Sequence, residues 1–323
     1  MHLSFSIIIP VYNRPKEVKE LLESLATQNY GKPFEVILVE DGSEISAEEV
    51  AASFSTKLNI KYLSKDNSGP GDSRNFGAVH ATGNYFIFFD SDCIIPPSYL
   101  KEVESHLQEY YSDAFGGMDK AHEGFSVLQK AISYSMTSLF TTGGVRGGKK
   151  NIHKFQPRSF NMGVSQKAFE KVKGFQKIHV GEDIDLTLRL WQAGFNSQLI
   201  ENAFVFHKRR SSFRAFYKQM HAFGKGRAYL NRIHPTTSKI TFWFPTVFML
   251  GITLAVLLAF LNFTELLVVY SIYFAIILVD STFKNQSLRV GFLSIFTTIY
   301  QFTGYGIGFL KAILNNLKNH VKA

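Results

Sequence analysis

The sequence predicts an α/β domain with a mostly parallel sheet, followed by a C-terminal region that associates with a membrane. Short apolar runs alternate with helical patterns up to about residue 239. One of these runs, Tyr85–Phe89, is apolar at every position, which is typical of a strand buried on both faces of a parallel sheet. From Ile240 onward charged residues are almost absent, and this change in composition predicts the membrane region.

The predicted elements alternate as parallel strands with right-handed crossovers require. Pro15 suits the first position of a helix, where its missing N–H is not needed. The predicted strands are Ser4–Pro10, Phe34–Val39, Ile60–Ser64, Tyr85–Phe89 and Ala114–Met118, and a strand end at Val205–His207 closes the domain. The predicted helices are Pro15–Gln28, Ser46–Ser55, Pro97–Tyr111 and a segment at 185–193.

Polar residues follow three of the predicted strands. Tyr12 and Asn13 follow the first, Asp41 ends the second, and Asp90 and Asp92 follow the fourth. The carboxyl ends of parallel strands meet at one edge of the sheet, where α/β proteins bind their ligands. Asp90 and Asp92 are thereby placed to hold a divalent cation, which usually also carries phosphates.

Two further clusters could be functional or merely structural. The glycine-rich segment Asn67–Gly77 leads into a helix containing Arg74, and free N–H groups with a guanidinium can hold a diphosphate. Glu182, Asp183 and Asp185 lie at the start of another predicted helix, where carboxylates also serve as caps.

Four motifs together resemble those of family 2 glycosyltransferases with the GT-A fold. They are Ile7–Asn13, Val39–Ser43, Gly69–Gly77 and Phe89–Asp92, and the resemblance covers residues 4–210. It implies an inverting transferase that uses a nucleotide-sugar, in particular a UDP-sugar, together with Mn²⁺ or Mg²⁺. Glu40 departs from the pattern, since the family more often has Asp there.

The resemblance also implies roles for single residues. Tyr12 would lie against a uracil-type base, Asp41 would accept its imide N–H, and Asn161 would lie near the donor sugar. The full set implied for nucleotide-sugar binding is Pro10, Tyr12, Asn13, Asp41, Arg74, Asp90 and Asn161.

For the cation and the chemistry, the same resemblance implies a second set of residues. Asp90 and Asp92 would ligate the metal, and His207, otherwise a structural residue, could complete the site. Asp183 would be the general base that deprotonates the acceptor hydroxyl, with Glu182 as the alternative.

The C-terminal region divides into three predicted parts. Residues 211–239 form an amphipathic interfacial helix with an aromatic face and interspersed basic residues. A hairpin of membrane helices follows over about 240–263 and 265–283, within a membrane domain at 240–323. A third apolar segment, 290–310, is either a third span or a re-entrant or interfacial segment.

Flanking charges predict the orientation and the partners. Lys239, Lys284 and Arg289 flank the hairpin, so the positive-inside rule predicts a multi-pass protein of the cytoplasmic (inner) membrane whose catalytic domain, 1–210, faces the cytoplasm. The net charge of +9 then reflects phosphate groups and anionic lipid rather than nucleic acid. Membrane segments beside the site favour a lipid-linked or glycan acceptor.

Two alternative functions and the role of one segment stay open on the sequence alone. A nucleotidyltransferase on a similar sheet would release pyrophosphate, and a non-catalytic membrane scaffold would not bind nucleotide with a metal. The basic segment Thr141–Lys150 could close over the diphosphate or be a solvated linker.

Overall fold

The computed structural model describes residues 2–142 and 154–321. Its contacts divide the chain into two compact units: unit 1 is Met1–His122 with Lys149–Lys208, and unit 2 is Glu123–Gly148 with Arg209–Ala323. Of the described residues, 123–142 group by their contacts with the C-terminal region, whereas the sequence predicted them within the domain at 1–210. Most of the predicted basic segment Thr141–Lys150 lies outside the described residues.

Unit 1 is built on an eight-stranded sheet with the spatial order β3-β2-β1-β4-β7-β6-β8-β5. β1 to β4 are parallel to their neighbours in this set, and β7 is antiparallel to both β4 and β6. The predicted α/β fold with a mostly parallel sheet is confirmed. The strands are β1 (Phe5–Val11), β2 (Glu35–Asp41), β3 (Asn59–Lys65), β4 (Tyr85–Phe89), β5 (Cys93–Ile94), β6 (Ala114–Lys120), β7 (Asn161–Ser165) and β8 (Ser197–His207).

The described α-helices divide equally between the two units, six in each. Unit 1 contains α1 (Pro15–Ala26), α2 (Glu48–Ser53), α3 (Pro70–Val79), α4 (Tyr99–Glu109), α7 (Gln166–Lys171) and α8 (Glu182–Gln192). Unit 2 contains α5 (Val127–Thr137), α6 (Leu139–Thr142), α9 (Phe213–Ile233), α10 (Phe244–Ala259), α11 (Glu265–Asn285) and α12 (Leu288–Val321).

Both faces of the sheet are covered, because successive side chains of a strand point to opposite faces. Ile7 and Ile9 of β1 join one apolar cluster with side chains of α1 and α4, whereas Ile8 joins a second cluster with side chains of α7 and α8. This double coverage explains why Tyr85–Phe89 is apolar throughout. The parallel pairing of β2, β1 and β4 brings their carboxyl ends to one edge of the sheet.

In unit 2, α9 packs closely along α12. A Cβ atom on Gly224 would come within 2.1 Å of the Tyr305 carbonyl oxygen, and one on Gly308 within 2.1 Å of the His221 carbonyl oxygen. Phe216 and Met220 of α9 are buried in a cluster that includes side chains of α5. Of the apolar face that the sequence assigned to the membrane interface, Phe216 and Met220 are therefore covered by protein, and Phe213, Tyr217 and Phe223 are partly buried.

Within 2–142 and 154–321, two segments are long and apolar enough to cross a membrane by length and composition: Ile240–Ala259 and Glu265–Asn285. They match the predicted hairpin. The third apolar segment, 290–310, is part of α12, where Ser294, Thr297 and Thr298 are fully buried. Among the described helices, α12 does not meet the same criterion of apolar composition.

Candidate functional site

A turn after β4 carries the first acidic pair. The Cys93 N–H donates to the Asp90 carbonyl oxygen at 3.1 Å, which closes the turn. The short strand β5 then pairs with the end of β8, so that Cys93 lies opposite His207. This pairing brings His207 Nε2 to 3.1 Å from Asp92 Oδ1 and 4.0 Å from Asp90 Oδ2.

These side chains fit a hard divalent cation. Carboxylate oxygens suit Mg²⁺ and Mn²⁺, and Mn²⁺ also accepts imidazole nitrogen. Burial would raise the pKa of Asp92, but His207 and Arg14 hold it well below its usual range, so the carboxylate is ionised as a ligand must be. Cys93 also lies within reach. Burial raises the pKa of its thiol, and a thiol is a poor ligand for hard cations.

Arg14 is a neighbour of the acidic pair to which the sequence assigned no role. Its Nη1 contacts Asp92 Oδ2, and its side chain is 34% exposed. The only sequence signal was its position, one residue after Asn13 in the first motif. Arg14 thus supplies a positive charge on the solvent side of Asp92.

Arg74 is a buried bridge between the two acidic clusters. Its side chain is 2% exposed, with Nη2 donating to Asp90 Oδ1 at 2.6 Å and Nη1 donating to Glu182 Oε1 at 3.0 Å. Burial would lower the pKa of Arg74, but the two carboxylates raise it overall. The resemblance implied that Arg74 lies near the base or the diphosphate, and this stays a prediction. Its guanidinium is enclosed and orients the two acids.

The acids at the start of α8 have different surroundings. Glu182 is 8% exposed, and burial together with Asp183 raises its pKa. Asp183 accepts the Ile184 N–H on Oδ1 at 2.8 Å, while its Oδ2 lies 3.9 Å from Arg158 Nη1. Asp185 is buried and forms an ion pair with Arg189 at 2.7 Å, which makes it structural.

Asp41 is held at the end of β2 by several donors. The N–H groups of Ser68 and Gly69 donate to its two oxygens at 2.9 and 2.8 Å, and Lys65 Nζ lies 2.5 Å from Oδ1. Burial would raise the pKa of Asp41, but these donors lower it below its ordinary value. Lys65 was not identified from the sequence, because nothing in the pattern of β3 distinguishes it from a solvated lysine.

The residues after β1 form the neighbouring rim. Tyr12 is 51% exposed, and Pro10 is buried within β1. Asn13 adopts a positive φ of 54°, and its Oδ1 accepts the N–H groups of Glu44 and Ile45 at 2.8 and 3.0 Å. Asn13 therefore ties the loop after β1 to the loop after β2, and it leaves the Tyr12 ring open to solvent.

Asn161 requires a correction. Its side chain is fully buried: Oδ1 accepts the Tyr99 hydroxyl at 2.6 Å, and Nδ2 donates to the Ala203 carbonyl oxygen at 2.8 Å. The amide thus joins β7 to α4 and β8. The resemblance implied that Asn161 lies near the donor sugar, but its side chain faces the protein interior and is engaged there by protein groups.

The structure brings most of the predicted residues to one place. Through Arg74 and His207, the network joins Asp90, Asp92 and Glu182, and Asp183 is adjacent in α8. Because β1 and β2 run parallel beside β4, the ends that carry Tyr12 and Asp41 open on the same edge.

Comparison with known proteins gives consistent results. The family Glycosyl transferase family 2 matches residues 6–172. The poly(ribitol-phosphate) beta-N-acetylglucosaminyltransferase TarS of Staphylococcus aureus is 38% identical over 114 residues, which are 34% of this chain and 20% of that protein. The minor teichoic acid biosynthesis protein GgaB of Bacillus subtilis is 25% identical over 186 residues, 56% of this chain and 20% of that protein. The matched region is thus only a fifth of either relative.

Solved structures agree on the fold. S. aureus TarS 1–349 in complex with UDP superposes with a TM-score of 0.50 at 25% identity, over 71% of this chain and 66% of that chain. The mannosyltransferase PcManGT of Pyrobaculum calidifontis, in complex with GDP-Man and Mn²⁺, superposes with a TM-score of 0.55 at 16% identity, over 72% of this chain and 65% of that chain.

Proposed function

Since this chain belongs to glycosyl transferase family 2 and is a glycosyltransferase, we propose that it transfers a sugar from a UDP-sugar, with inversion, to a hydroxyl group of a lipid-linked or glycan acceptor at the membrane. The single observation that carries this proposal is the network in which Arg74 and His207 hold Asp90, Asp92 and Glu182 at the carboxyl edge of the sheet. Asp183 adjoins this network and provides a base.

For the donor, the rim formed by Tyr12 and Asp41 is the proposed base site. The exposed Tyr12 ring can stack on uracil. Asp41 is ionised, so its carboxylate can accept an imide N–H in addition to the contact with Lys65. The UDP bound to TarS supports this choice of nucleotide.

For the cation, the proposed ligands are Asp90, Asp92 and His207. A bound Mn²⁺ or Mg²⁺ would supply positive charge to the departing nucleoside diphosphate. Arg14 lies on the solvent side of Asp92 and can turn its guanidinium to the diphosphate once it releases that carboxylate.

For the acceptor, Asp183 is the proposed general base. Glu182 is engaged by Arg74 and accepts the Ser159 hydroxyl at 3.4 Å, so its task is to hold Arg74 in place. Asp183 forms no close ion pair among the described residues, since Arg158 Nη1 lies 3.9 Å from its Oδ2. Its carboxylate can take the proton of an attacking hydroxyl, a role typically worth about 10²–10⁴-fold in rate.

The proposed acceptor and location rest on unit 2 and on the relatives. Two helices there are long and apolar enough to cross a membrane, and Lys239, Lys284 and Arg289 flank them, which favours a cytoplasmic catalytic unit. TarS is named for poly(ribitol-phosphate) and GgaB for teichoic acid synthesis. These names support a phosphate-containing glycan acceptor, and the two apolar helices support an acceptor at the membrane.

A panel of nucleotide-sugars tests the proposal. The full chain in detergent is incubated with each donor, with and without Mn²⁺, and the released nucleotide is identified by mass. We expect metal-dependent release of UDP from one donor. A parallel incubation with nucleoside triphosphate and sugar 1-phosphate tests the alternative, since release of pyrophosphate there would indicate a nucleotidyltransferase. No release of nucleotide from any donor, with or without Mn²⁺, would indicate a scaffold.

A further inference from the structure

We propose that an exposed cationic stripe on α9 binds the anionic headgroups of the bilayer, so that this helix attaches by charge and not by insertion. The stripe consists of Arg214, Lys218, Lys225 and Arg232. Their spacings of four and seven residues place all of them on one side of the helix, and all of them are exposed. This proposal extends the membrane association proposed above, but its test does not depend on catalysis.

The opposite face of α9 explains why insertion is not available. Phe216 and Met220 are buried against α5, and Gly224 lies against the backbone of α12. An interfacial helix that inserts needs its apolar face free to enter the lipid. In this protein that face is in contact with protein, and the cationic face is the one that remains exposed.

The sequence of unit 2 contains few acids that could balance the charge of the stripe. No Asp or Glu occurs from Arg209 to Thr264. In the rest of unit 2 the sequence contains only Glu123, Glu265 and Asp280, and Asp280 already pairs with Lys284 at 2.9 Å. Burial and then Lys225 and Lys311 lower the pKa of His221, which is consistent with a field of positive charge along this side.

The stripe lies close in sequence to the apolar helices, which favours anionic lipid over another polyanion as its partner. α9 ends at Ile233, shortly before the first apolar segment, Ile240–Ala259. Lys239 precedes this segment, while Lys284 and Arg289 lie at the end of the second one, so positive charge gathers where both helices of the hairpin would leave the bilayer. Cations at that level attract anionic lipid, by about fivefold in affinity per residue at low salt.

The test compares lipid preference in reconstituted vesicles. The full chain is placed in mixtures of phosphatidylcholine and phosphatidylglycerol, and quenching of tryptophan emission by the brominated form of each lipid gives the relative affinity. We expect a preference for phosphatidylglycerol that weakens as salt rises. In a variant with all four stripe residues changed to Gln, the preference should fall by about tenfold or more.

Two controls separate the stripe from net charge and from misfolding. One removes four exposed lysines of unit 1, with the changes Lys57→Gln, Lys101→Gln, Lys167→Gln and Lys177→Gln, and should keep the preference. The other, Arg214→Lys with Arg232→Lys, conserves charge and should also keep it. An unchanged preference in the stripe variant, or an equal loss in either control, would overturn the proposal. Failure of the wild type to enter vesicles of either lipid would instead contradict the membrane association itself.

Discussion

Glu182 shares one buried guanidinium with Asp90, because Arg74 donates an Nη group to each carboxylate, at 3.0 and 2.6 Å. The turn after β4 and the start of α8 are thereby fixed relative to each other. The first carries the proposed metal ligands, and the second carries the proposed base, Asp183. Arg74 is therefore the residue on which the distance between the two halves of the site depends.

Arg74→Met should destabilise the protein strongly. Methionine fills much of the space but leaves the two carboxylates without their cation, and breaking a buried pair in this way costs about 3–5 kcal/mol. The unfolding free energy of the full chain measures the effect. Lys32→Met is the matched control, since Lys32 pairs with Glu104 while 55% exposed, and it should cost less than about 1 kcal/mol. Equal costs for both variants would contradict a bridging role for Arg74.

Arg14→Gln should strengthen the binding of Mn²⁺ in the absence of donor. Arg14 contacts the Asp92 oxygen that a metal would use, so the cation must displace the guanidinium. A partly exposed pair of this kind is worth about 0.5–1 kcal/mol, which corresponds to a roughly twofold to fivefold gain in affinity. Calorimetric titration of Mn²⁺ measures it. Weaker binding in the variant would mean that Arg14 supports the metal site rather than competing for it.

Asp183→Asn should abolish most turnover while donor binding persists. The amide cannot accept the proton of the acceptor hydroxyl, so kcat should fall by about 10²-fold or more, with KM for the donor little changed. Glu182→Gln provides the comparison, because it should weaken the Arg74 contact and lower stability as well as rate. If Asp183→Asn turned over almost normally while Glu182→Gln did not, Glu182 would be the base.

Asp41→Asn should lower stability in a pH-dependent way. The pKa of Asp41 is below its ordinary value in the folded protein, so its stabilising contribution is fully present above the unfolded pKa and is lost as pH falls through the folded pKa. At pH 7 the loss of the charged hydrogen bonds should cost about 1.5–3 kcal/mol. Thermal unfolding at pH 7 and pH 3 measures the difference, which should narrow at pH 3. If the difference in stability between wild type and Asp41→Asn were the same at both pH values, the charge of Asp41 would not be what stabilises the protein here.

Local pattern was enough to predict the centre of the fold and several site residues. Tyr85–Phe89 is observed as β4 with the predicted bounds, because burial on both faces imposes an unbroken apolar run. Asp90 and Asp92 follow it directly, so their placement at the sheet edge required only the direction of the strand.

The remaining contacts depend on long-range pairings that local pattern does not encode. Asp92 meets His207 only because the short strand β5 pairs with the end of β8. Lys65 reaches Asp41 only because β3 lies beside β2. For Asn161, the family resemblance implied proximity to the donor sugar but not the direction of the side chain. The antiparallel pairing of β7 directs this side chain into the core.

The proposed function requires that the carboxyl edge of the sheet binds a nucleoside diphosphate through a divalent cation held by Asp92. The most direct test is calorimetric titration of UDP into the full chain, with and without Mn²⁺, for the wild type and for Asp92→Asn. Asp113→Asn is the matched control, since Asp113 binds Asn196 at the start of β6, on the opposite edge of the sheet. We expect Mn²⁺-dependent binding of UDP in the wild type and in Asp113→Asn, and none in Asp92→Asn. Equal Mn²⁺-dependent affinity in all three proteins would contradict this requirement.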